Sequence, residues 1–230
     1  MSLSTQSEFL FEQLCLQKGV HCTRIAESSV VKTADYALSL GAITLIVEIK
    51  QFDLNNEERQ ILRQFEEHGW TGAYSVYGKR PGSRTREKLA EAARQVRAHC
   101  EEGNPTLIVL FDNRPSPIGK PWIEPYEILT GMYGVEEWLI DIDQLSGRSG
   151  VIEKKFGGNQ TLSGERNTSI SAVAALCHFG NDHLGLWIFH NHFARKPIDP
   201  QILVHFADRQ FRLAEKALNE SPDWAEILLR

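Results

Sequence analysis

The stretch ITLIVEIK, from Ile43 to Lys50, runs from apolar and β-branched residues straight into a Glu-x-Lys pattern. A short run of this composition favours a central β-strand over a helix. Side chains alternate between the two faces of a strand, so Glu48 and Lys50 are expected on one face. Val47 and Ile49 are expected on the opposite face, in apolar packing. The stretch therefore predicts a carboxylate and an ammonium group side by side at the end of a buried strand.

The segment before this strand brings a second acid toward the same place. Residues 33–40 are typical of another strand, and Gly41-Ala42 is short enough for a hairpin turn. The hairpin would bring Asp35 near the level of Glu48 or Lys50. Two carboxylates supply the oxygen ligands that Mg²⁺ prefers, and a lysine orients water and stabilises negative charge. A solvated ion pair at a strand end is the alternative interpretation, since such charges are common there.

Asp35, followed by Glu48-Ile49-Lys50, resembles the PD-(D/E)XK nuclease superfamily, which has the restriction-endonuclease-like fold. The resemblance implies that Asp35, Glu48 and the Ile49 carbonyl bind Mg²⁺, with Mn²⁺ able to substitute, and that Asp35, Glu48 and Lys50 are catalytic. One departure is visible, because Ala34 stands where the family often has proline. That departure removes no metal ligand.

The first predicted helix, residues 4–18, contributes a further acid. Glu8 and Glu12 lie four residues apart and so share one helix face. Acids are favoured near a helix N-terminus in any case, so a solvated acidic face is the alternative. Many nucleases of this superfamily carry a glutamate on the first helix that joins the metal site. The resemblance implies that role for Glu8, with Glu12 as the other candidate.

The order of the predicted elements also matches the common core of the superfamily. Over residues 4–112 it is helix, three strands, helix and strand, with one extra helix at 55–68 after the third strand. The run 106–111 is almost continuously apolar, which predicts a central strand covered on both faces. The expected fold is α/β: a restriction-endonuclease-like core with a mixed central sheet flanked by helices, plus a C-terminal α+β extension. The core would span residues 1–115, and residues 116–230 would pack on the same domain.

The most basic window of the chain lies at residues 78–88, before and within the helix predicted at 83–102. Arginine and lysine at a junction of loop and helix are suited to contacts with a nucleic-acid backbone. A solvated basic loop is the alternative. Related nucleases often place a glutamine near the site on this helix, and Gln95 is the residue that would fill this position. The predicted nucleic-acid contacts are Lys79, Arg80, Arg84, Arg86 and Lys88.

The second half of the chain has no recognisable motif. Residues 116–125 are rich in proline and predict a loop, several strand-like runs follow, and residues 202–218 predict a closing amphipathic helix. Two further groups of possible metal ligands lie here. Asp141 and Asp143 share a strand face, and His190 and His192 share one side of an extended segment that also has Cys177, His178 and His183 nearby. Their spacing fits no zinc pattern, so solvated or structural roles are favoured.

Composition limits the class of protein. The 230 residues are 42% hydrophobic and 24% charged, as in ordinary globular proteins, with a net charge of −5. This charge argues against a non-specific DNA coat protein but not against a nuclease, which depends on local charge and a bound cation. Four scattered cysteines and no export segment predict a cytoplasmic protein with reduced thiols. No apolar run approaches the ~20 residues of a membrane span.

The sequence as a whole predicts a Mg²⁺-dependent nuclease that hydrolyses phosphodiester bonds, with DNA as the expected partner and a homodimer as a possible assembly. The alternative function is a catalytically inactive module that keeps the nuclease fold and binds nucleic acid or a protein partner. Intact Asp, Glu and Lys residues favour the enzyme, while the acidic net charge favours the module.

Overall fold

The computed structural model describes residues 4–26, 33–69, 81–142, 147–180, 183–214 and 223–228. The α-helices are α1 Gln6–Gln17, α2 Asn56–His68, α3 Ser83–Glu101 and α4 Pro125–Tyr133, and a 3-10 turn spans Pro200–Leu203. The strands are β1 His21–Arg24, β2 Tyr36–Leu40, β3 Ile43–Phe52, β4 Thr106–Asp112, β5 Glu136–Ile142, β6 Ser149–Phe156, β7 Ala172–His178, β8 Leu184–His190, β9 Arg209–Leu213 and β10 Trp224–Glu226.

Eight strands form one mixed sheet in the order β1-β2-β3-β4-β7-β8-β9-β10. The centre is parallel, because β3 pairs with β4 and β4 pairs with β7 in the same direction. The pairs β1–β2, β2–β3 and β7–β8 are antiparallel. Helices cover both faces, so the predicted α/β fold with a mixed central sheet is confirmed at this level.

Strand β3 divides the interior into two apolar clusters, one on each face of the sheet. Leu45, Val47 and Ile49 pack in the cluster that includes α1. Ile46 and Phe52 pack in the cluster that includes α3 and α4. This alternation confirms the expected strand and places Glu48 and Lys50, which follow the same parity as Ile46, on the α3 face.

Local hydrogen bonds set where two of the helices begin. At the start of α1 the Thr5 side chain accepts from the Glu8 backbone N–H, and the Glu8 carboxylate accepts from the Thr5 N–H. Asn55 and Glu58 form the same reciprocal arrangement at the start of α2. Such a capping box satisfies N–H groups that a helix leaves without internal partners. These short patterns explain why α1 and α2 lie close to their predicted positions.

The second half of the chain supplies half of the large sheet. Strand β7 is almost entirely buried and pairs with the edge of β4 that faces away from β3. Strands β8, β9 and β10 follow β7 in the sheet. The predicted division near residue 115 falls in the loop after β4, and the sheet continues across it. The first part of the predicted core, residues 4–112, contributes β1 to β4.

The prediction of a closing helix at 202–218 is wrong for the part of this range that the structure describes. Residues 200–203 form the 3-10 turn, and Arg209–Leu213 is strand β9, parallel to β8. Phe211 stacks on Phe189 of β8 with ring centroids 4.9 Å apart, and Gln210 hydrogen-bonds His190 at 2.8 Å. Long-range sheet contacts of this kind outweigh the helical spacing of a short apolar pattern.

In the part of the chain that the structure describes, no helix is long and apolar enough to cross a membrane. All four cysteines, Cys15, Cys22, Cys100 and Cys177, are free thiols.

Candidate active site

The β2–β3 hairpin places Asp35 beside the end of the Glu-x-Lys strand. Tyr36 pairs with Val47, and the Asp35 backbone N–H donates to the Val47 carbonyl at 3.1 Å. The Asp35 carboxylate then accepts a hydrogen bond from the Ile49 backbone N–H at 2.7 Å. The hairpin therefore brings Asp35, Glu48 and Ile49 together where β2 begins.

Glu48 is the most deeply buried acid of the group. Its side chain is 1% exposed, and its Oε1 lies 2.7 Å from the Lys50 Nζ. The other oxygen, Oε2, is buried and has no hydrogen-bond donor among the described residues. A carboxylate oxygen beside a second acid is satisfied by a shared proton or by a cation.

Burial and mutual proximity change the pKa values of Asp35 and Glu48. Burial, with added repulsion from Asp35, raises the pKa of Glu48 from its ordinary 4.5 to about 8, although Lys50 opposes the change. Burial also raises the pKa of Asp35, and the charge of Glu8 adds to it, against the opposing effects of the Ile49 N–H and Lys50. Both acids therefore hold protons more tightly than exposed carboxyls when no cation is bound.

Lys50 is fixed by acceptors on its own strand and on α3. Besides Glu48, its Nζ donates to Glu91 Oε1 at 3.1 Å and to Gln95 Oε1 at 2.8 Å. Burial lowers the pKa of Lys50, but Glu48 and Glu91 more than offset this, and the net pKa lies above its ordinary value. The ammonium group is therefore charged at neutral pH. Gln95 faces the site as expected, whereas Glu91 was missed, although it lies four residues earlier on the same helix face.

The two acids of α1 have different surroundings. Glu8 caps its helix and pairs with the Arg24 guanidinium at 2.5 Å, and its charge reaches Asp35. Glu12 accepts from the Tyr36 hydroxyl at 2.6 Å. Of the two candidates, Glu8 is the one that interacts electrostatically with the site, but part of its binding capacity is used by the cap and Arg24.

Within the described ranges, no cluster of three or more His, Cys, Asp or Glu side chains is suited to holding a metal ion. The site has two such side chains, Asp35 and Glu48, and a third ligand would be the Ile49 carbonyl. Two observations suit this site to a divalent cation. One Glu48 oxygen is buried without a hydrogen-bond donor, and the pKa values of Asp35 and Glu48 are both raised.

The two other groups of possible metal ligands, the histidines around His190 and the pair Asp141 and Asp143, are arranged differently from Asp35 and Glu48. The His190 imidazole is bonded to Gln210, and burial lowers the pKa of His190 below its ordinary value. Asp141 is exposed on β5, and Asp143 lies outside the described residues. Neither group is assembled into a metal site within the described part of the chain.

Two arginines of the basic window are used inside the fold. Arg84 donates to Glu58 Oε2 at 2.6 Å and to the Asp53 carbonyl at 3.1 Å. Arg86 donates to the carbonyls of Pro81 and Thr130 at 2.9 and 3.0 Å. These contacts join the start of α3 to α2 and α4. Lys88 is half-buried on α3, and Lys79 and Arg80 lie outside the described residues, so a phosphate contact from this window stays a prediction.

Replacing Arg84 with alanine should destabilise the protein by about 1.5–3 kcal/mol, because it removes a charged hydrogen bond to the buried Glu58. Glu58 keeps its contact with Arg114 at 2.9 Å, which limits the loss. The melting temperature should fall by roughly 3–12 °C. Arg59→Ala, which removes an exposed arginine of α2, is the control and should melt like the parent. An unchanged melt for Arg84→Ala, with weaker DNA binding, would instead support a phosphate contact.

A buried ion network and a cavity at the carboxyl ends of β3 and β4 were also missed. Arg114 makes two hydrogen bonds of 2.7 Å to Asp112 and bridges to Glu58. Beside it lies a cavity of about 230 Å³ whose lining includes Phe52. Phe52 follows Lys50 by two residues on the same strand face, a distance of about 7 Å. The bridge from Arg114 to Glu58 joins residues 56 apart in sequence, so no local pattern signals it.

Comparison of the chain with models of known protein families, with curated proteins and with solved structures finds no match. A functional interpretation therefore depends on the residues and geometry of this chain alone.

Proposed function

We propose that this protein is a metal-dependent nuclease with a restriction-endonuclease-like core, which hydrolyses phosphodiester bonds with Mg²⁺ or Mn²⁺ and has DNA as its expected substrate. The observation that carries the proposal is the meeting of Asp35, Glu48, Ile49 and Lys50 where β2 begins, with one Glu48 oxygen buried and lacking a donor. A Glu48–Lys50 ion pair that only stabilised the fold would not require Asp35 beside it.

Each member of the group has a definite task in the proposed reaction. Asp35, Glu48 and the Ile49 carbonyl would hold the metal. When bound, the ion supplies a Lewis acid for the phosphate and lowers the pKa of a coordinated water. Asp35 is oriented by the Ile49 N–H, and Glu48 is held by Lys50, so both carboxylates are positioned before any substrate arrives.

Lys50 acts in this scheme as a cation and hydrogen-bond donor rather than as a base, because its raised pKa keeps it protonated. Its charge lies beside Glu48, where negative charge would increase as water attacks the phosphate. Gln95 and Glu91 fix the ammonium from α3. To hold the attacking water, Lys50 would exchange one of its three hydrogen bonds for a bond to that water. The bond to Glu91 is the longest of the three, so it is the one expected to be exchanged.

The arrangement of elements supports the same core. Over residues 4–112 the order is α1, β1, β2, β3, α2, α3 and β4, which is the order that the resemblance implies. α1 and α3 lie on opposite faces of the sheet, and β3 and β4 are parallel neighbours.

The alternative function, a catalytically inactive nuclease-fold module that binds nucleic acid or a protein partner, is favoured by one observation. All three donors of Lys50 already have acceptors within the protein. In such a module the lysine would serve only to neutralise the buried Glu48.

The deciding experiment incubates the purified protein with supercoiled plasmid, single-stranded DNA and RNA, each with Mg²⁺, with Mn²⁺ and with a chelator. Cleavage that requires metal supports the nuclease. No cleavage of any substrate, together with no effect of metal on thermal melting, would contradict it and favour the inactive module.

The pKa of Glu48 also predicts how stability depends on pH without metal. Because its pKa is about 8 in the folded state and 4.5 in an exposed carboxyl, the folded state binds the proton more tightly. The resulting stability is fully present below about pH 4.5 and is lost as pH rises through about 8. From pH 5 to 9 the free energy of unfolding should fall by a few kcal/mol more in the parent than in Glu48→Gln.

Denaturant titrations in chelator at several pH values measure this difference. Glu57→Gln, which changes an exposed acid of α2, is the control and should follow the parent. Parallel curves for the parent and Glu48→Gln would show that Glu48 does not carry the raised pKa.

A further inference from the structure

Strands β5 and β6 form a two-stranded antiparallel ribbon that is separate from the large sheet. It is anchored at its base, where Phe156 lies 5.0 Å from Tyr133 and the Gly157 N–H donates to the Val135 carbonyl at 2.7 Å. Most of its remaining residues are exposed. Two strands alone are marginally stable in water and normally need a third strand or a packed face.

The two strands of the ribbon, Glu136–Ile142 and Ser149–Phe156, carry an unusual concentration of exposed apolar side chains. Of the thirteen large hydrophobic residues exposed in the described part of the chain, six lie here, each between 38% and 62% exposed. Together they present on the order of 600 Å² of surface over the two faces of the ribbon, which is large for a monomer. They are Trp138, Leu139, Ile140, Ile142, Val151 and Ile152.

Most of these residues share one face. Trp138, Ile140 and Ile142 occupy alternate positions of β5 and so point to one face. Val151 of β6 lies opposite Ile140, where the register shifts at a β-bulge. Lys154 pairs with Trp138 in the register, and its Nζ lies 4.3 Å from the centre of the Trp138 ring. The face is therefore apolar with a basic group at one end.

We propose that this face packs against the same face of a second copy of the chain, so that the ribbon is a dimerisation arm. Two such faces would bury roughly 800 Å² in total, the size of a small interface that forms weakly and at high protein concentration. A two-fold interface requires one surface that complements itself. The arm meets this requirement both in its apolar face and in its charges.

The charges favour a second copy over an unrelated partner. On the apolar face the charged residue of β5 is Glu136 and that of β6 is Lys154, because Glu137, Asp141 and Lys155 belong to the opposite face. A two-fold axis running along the ribbon places β5 of one copy across β6 of the other. The strand with Glu136 in each copy then faces the strand with Lys154 in the other, which would favour this pairing. The inference does not depend on the proposed nuclease function.

Light scattering after size-exclusion chromatography, over a wide range of protein concentration, tests the arm directly. The parent should become a dimer as its concentration rises, and Ile140→Glu should remain a monomer, because a charge at this position would be buried without a partner. The control is Leu16→Glu on α1, where the parent leucine is 75% exposed, and this variant should dimerise as the parent does. Thermal melts verify that each variant is folded.

Lys154→Glu provides a second test that leaves the apolar face intact. It sets an acid opposite the strand with Glu136 of the other copy and should also yield monomers, with the dimer partly recovered in high salt. This variant decides the question if Ile140→Glu does not fold. A parent that is monomeric at every concentration, or a dimer that folded arm variants leave unchanged, overturns the proposal.

Discussion

Replacing Lys50 with methionine is expected to lower metal-dependent cleavage about 100- to 1,000-fold, the usual loss when one positioned donor to the transition state is removed. Methionine preserves much of the apolar length of the side chain and removes the charge and the N–H donors. The fold should survive, since Glu48 is then able to remain protonated. Metal binding should also survive, because Lys50 is not a proposed ligand.

Initial cleavage rates at saturating Mg²⁺, with melting curves beside them, test this expectation. Lys18→Met is the matched control, since Lys18 pairs with Asp208 at 2.6 Å and takes no part in the site. It should cleave like the parent. Parent-like cleavage by Lys50→Met would place the active site elsewhere, with Asp141, Asp143 and the histidines around His190 as the next candidates.

Asp35→Asn and Glu48→Gln are expected to abolish both cleavage and the effect of metal on stability. A cation at one hundred times its dissociation constant stabilises a folded protein by about 2.7 kcal/mol. The melting temperature of the parent should therefore rise by roughly 5–11 °C with Mg²⁺ or Mn²⁺. Without metal, both variants should melt at or above the parent temperature, because the repulsion between two buried acids is removed.

Melting curves with Mg²⁺, with Mn²⁺ and with chelator provide the measurement. Glu91→Gln is an informative control, since Glu91 touches Lys50 but is not a proposed metal ligand, and this variant should keep the metal-dependent rise. A rise that persists in Asp35→Asn and Glu48→Gln would mean that the cation binds at another place.

The central features of the site were predictable because they depend on short-range patterns. The alternation of β3 decides which face carries Glu48 and Lys50, and the short turn at Gly41-Ala42 decides that β2 returns beside β3. Together these two facts place Asp35 near Glu48 without knowledge of the remaining fold.

Other features depend on contacts between distant parts of the chain. Arg84 was expected to face solvent or a nucleic acid, but Glu58, which comes 26 residues earlier, pairs with it. Strand β9 was predicted as a helix because its apolar spacing suits either structure, and only its pairing with β8 decides between them. Sequence patterns carry little information about such choices, since the deciding partner is far away along the chain.

The position of β4 has a consequence for how the chain acquires its structure during synthesis. All seven residues of β4 are buried, and its two neighbours, β3 and β7, come from opposite halves of the chain. As the polypeptide leaves the ribosome, every residue of the candidate site emerges well before Ala172 begins β7. Until then one edge of an apolar strand has no partner, and such edges promote association between chains. The second half therefore protects the nascent first half, whatever other role it has.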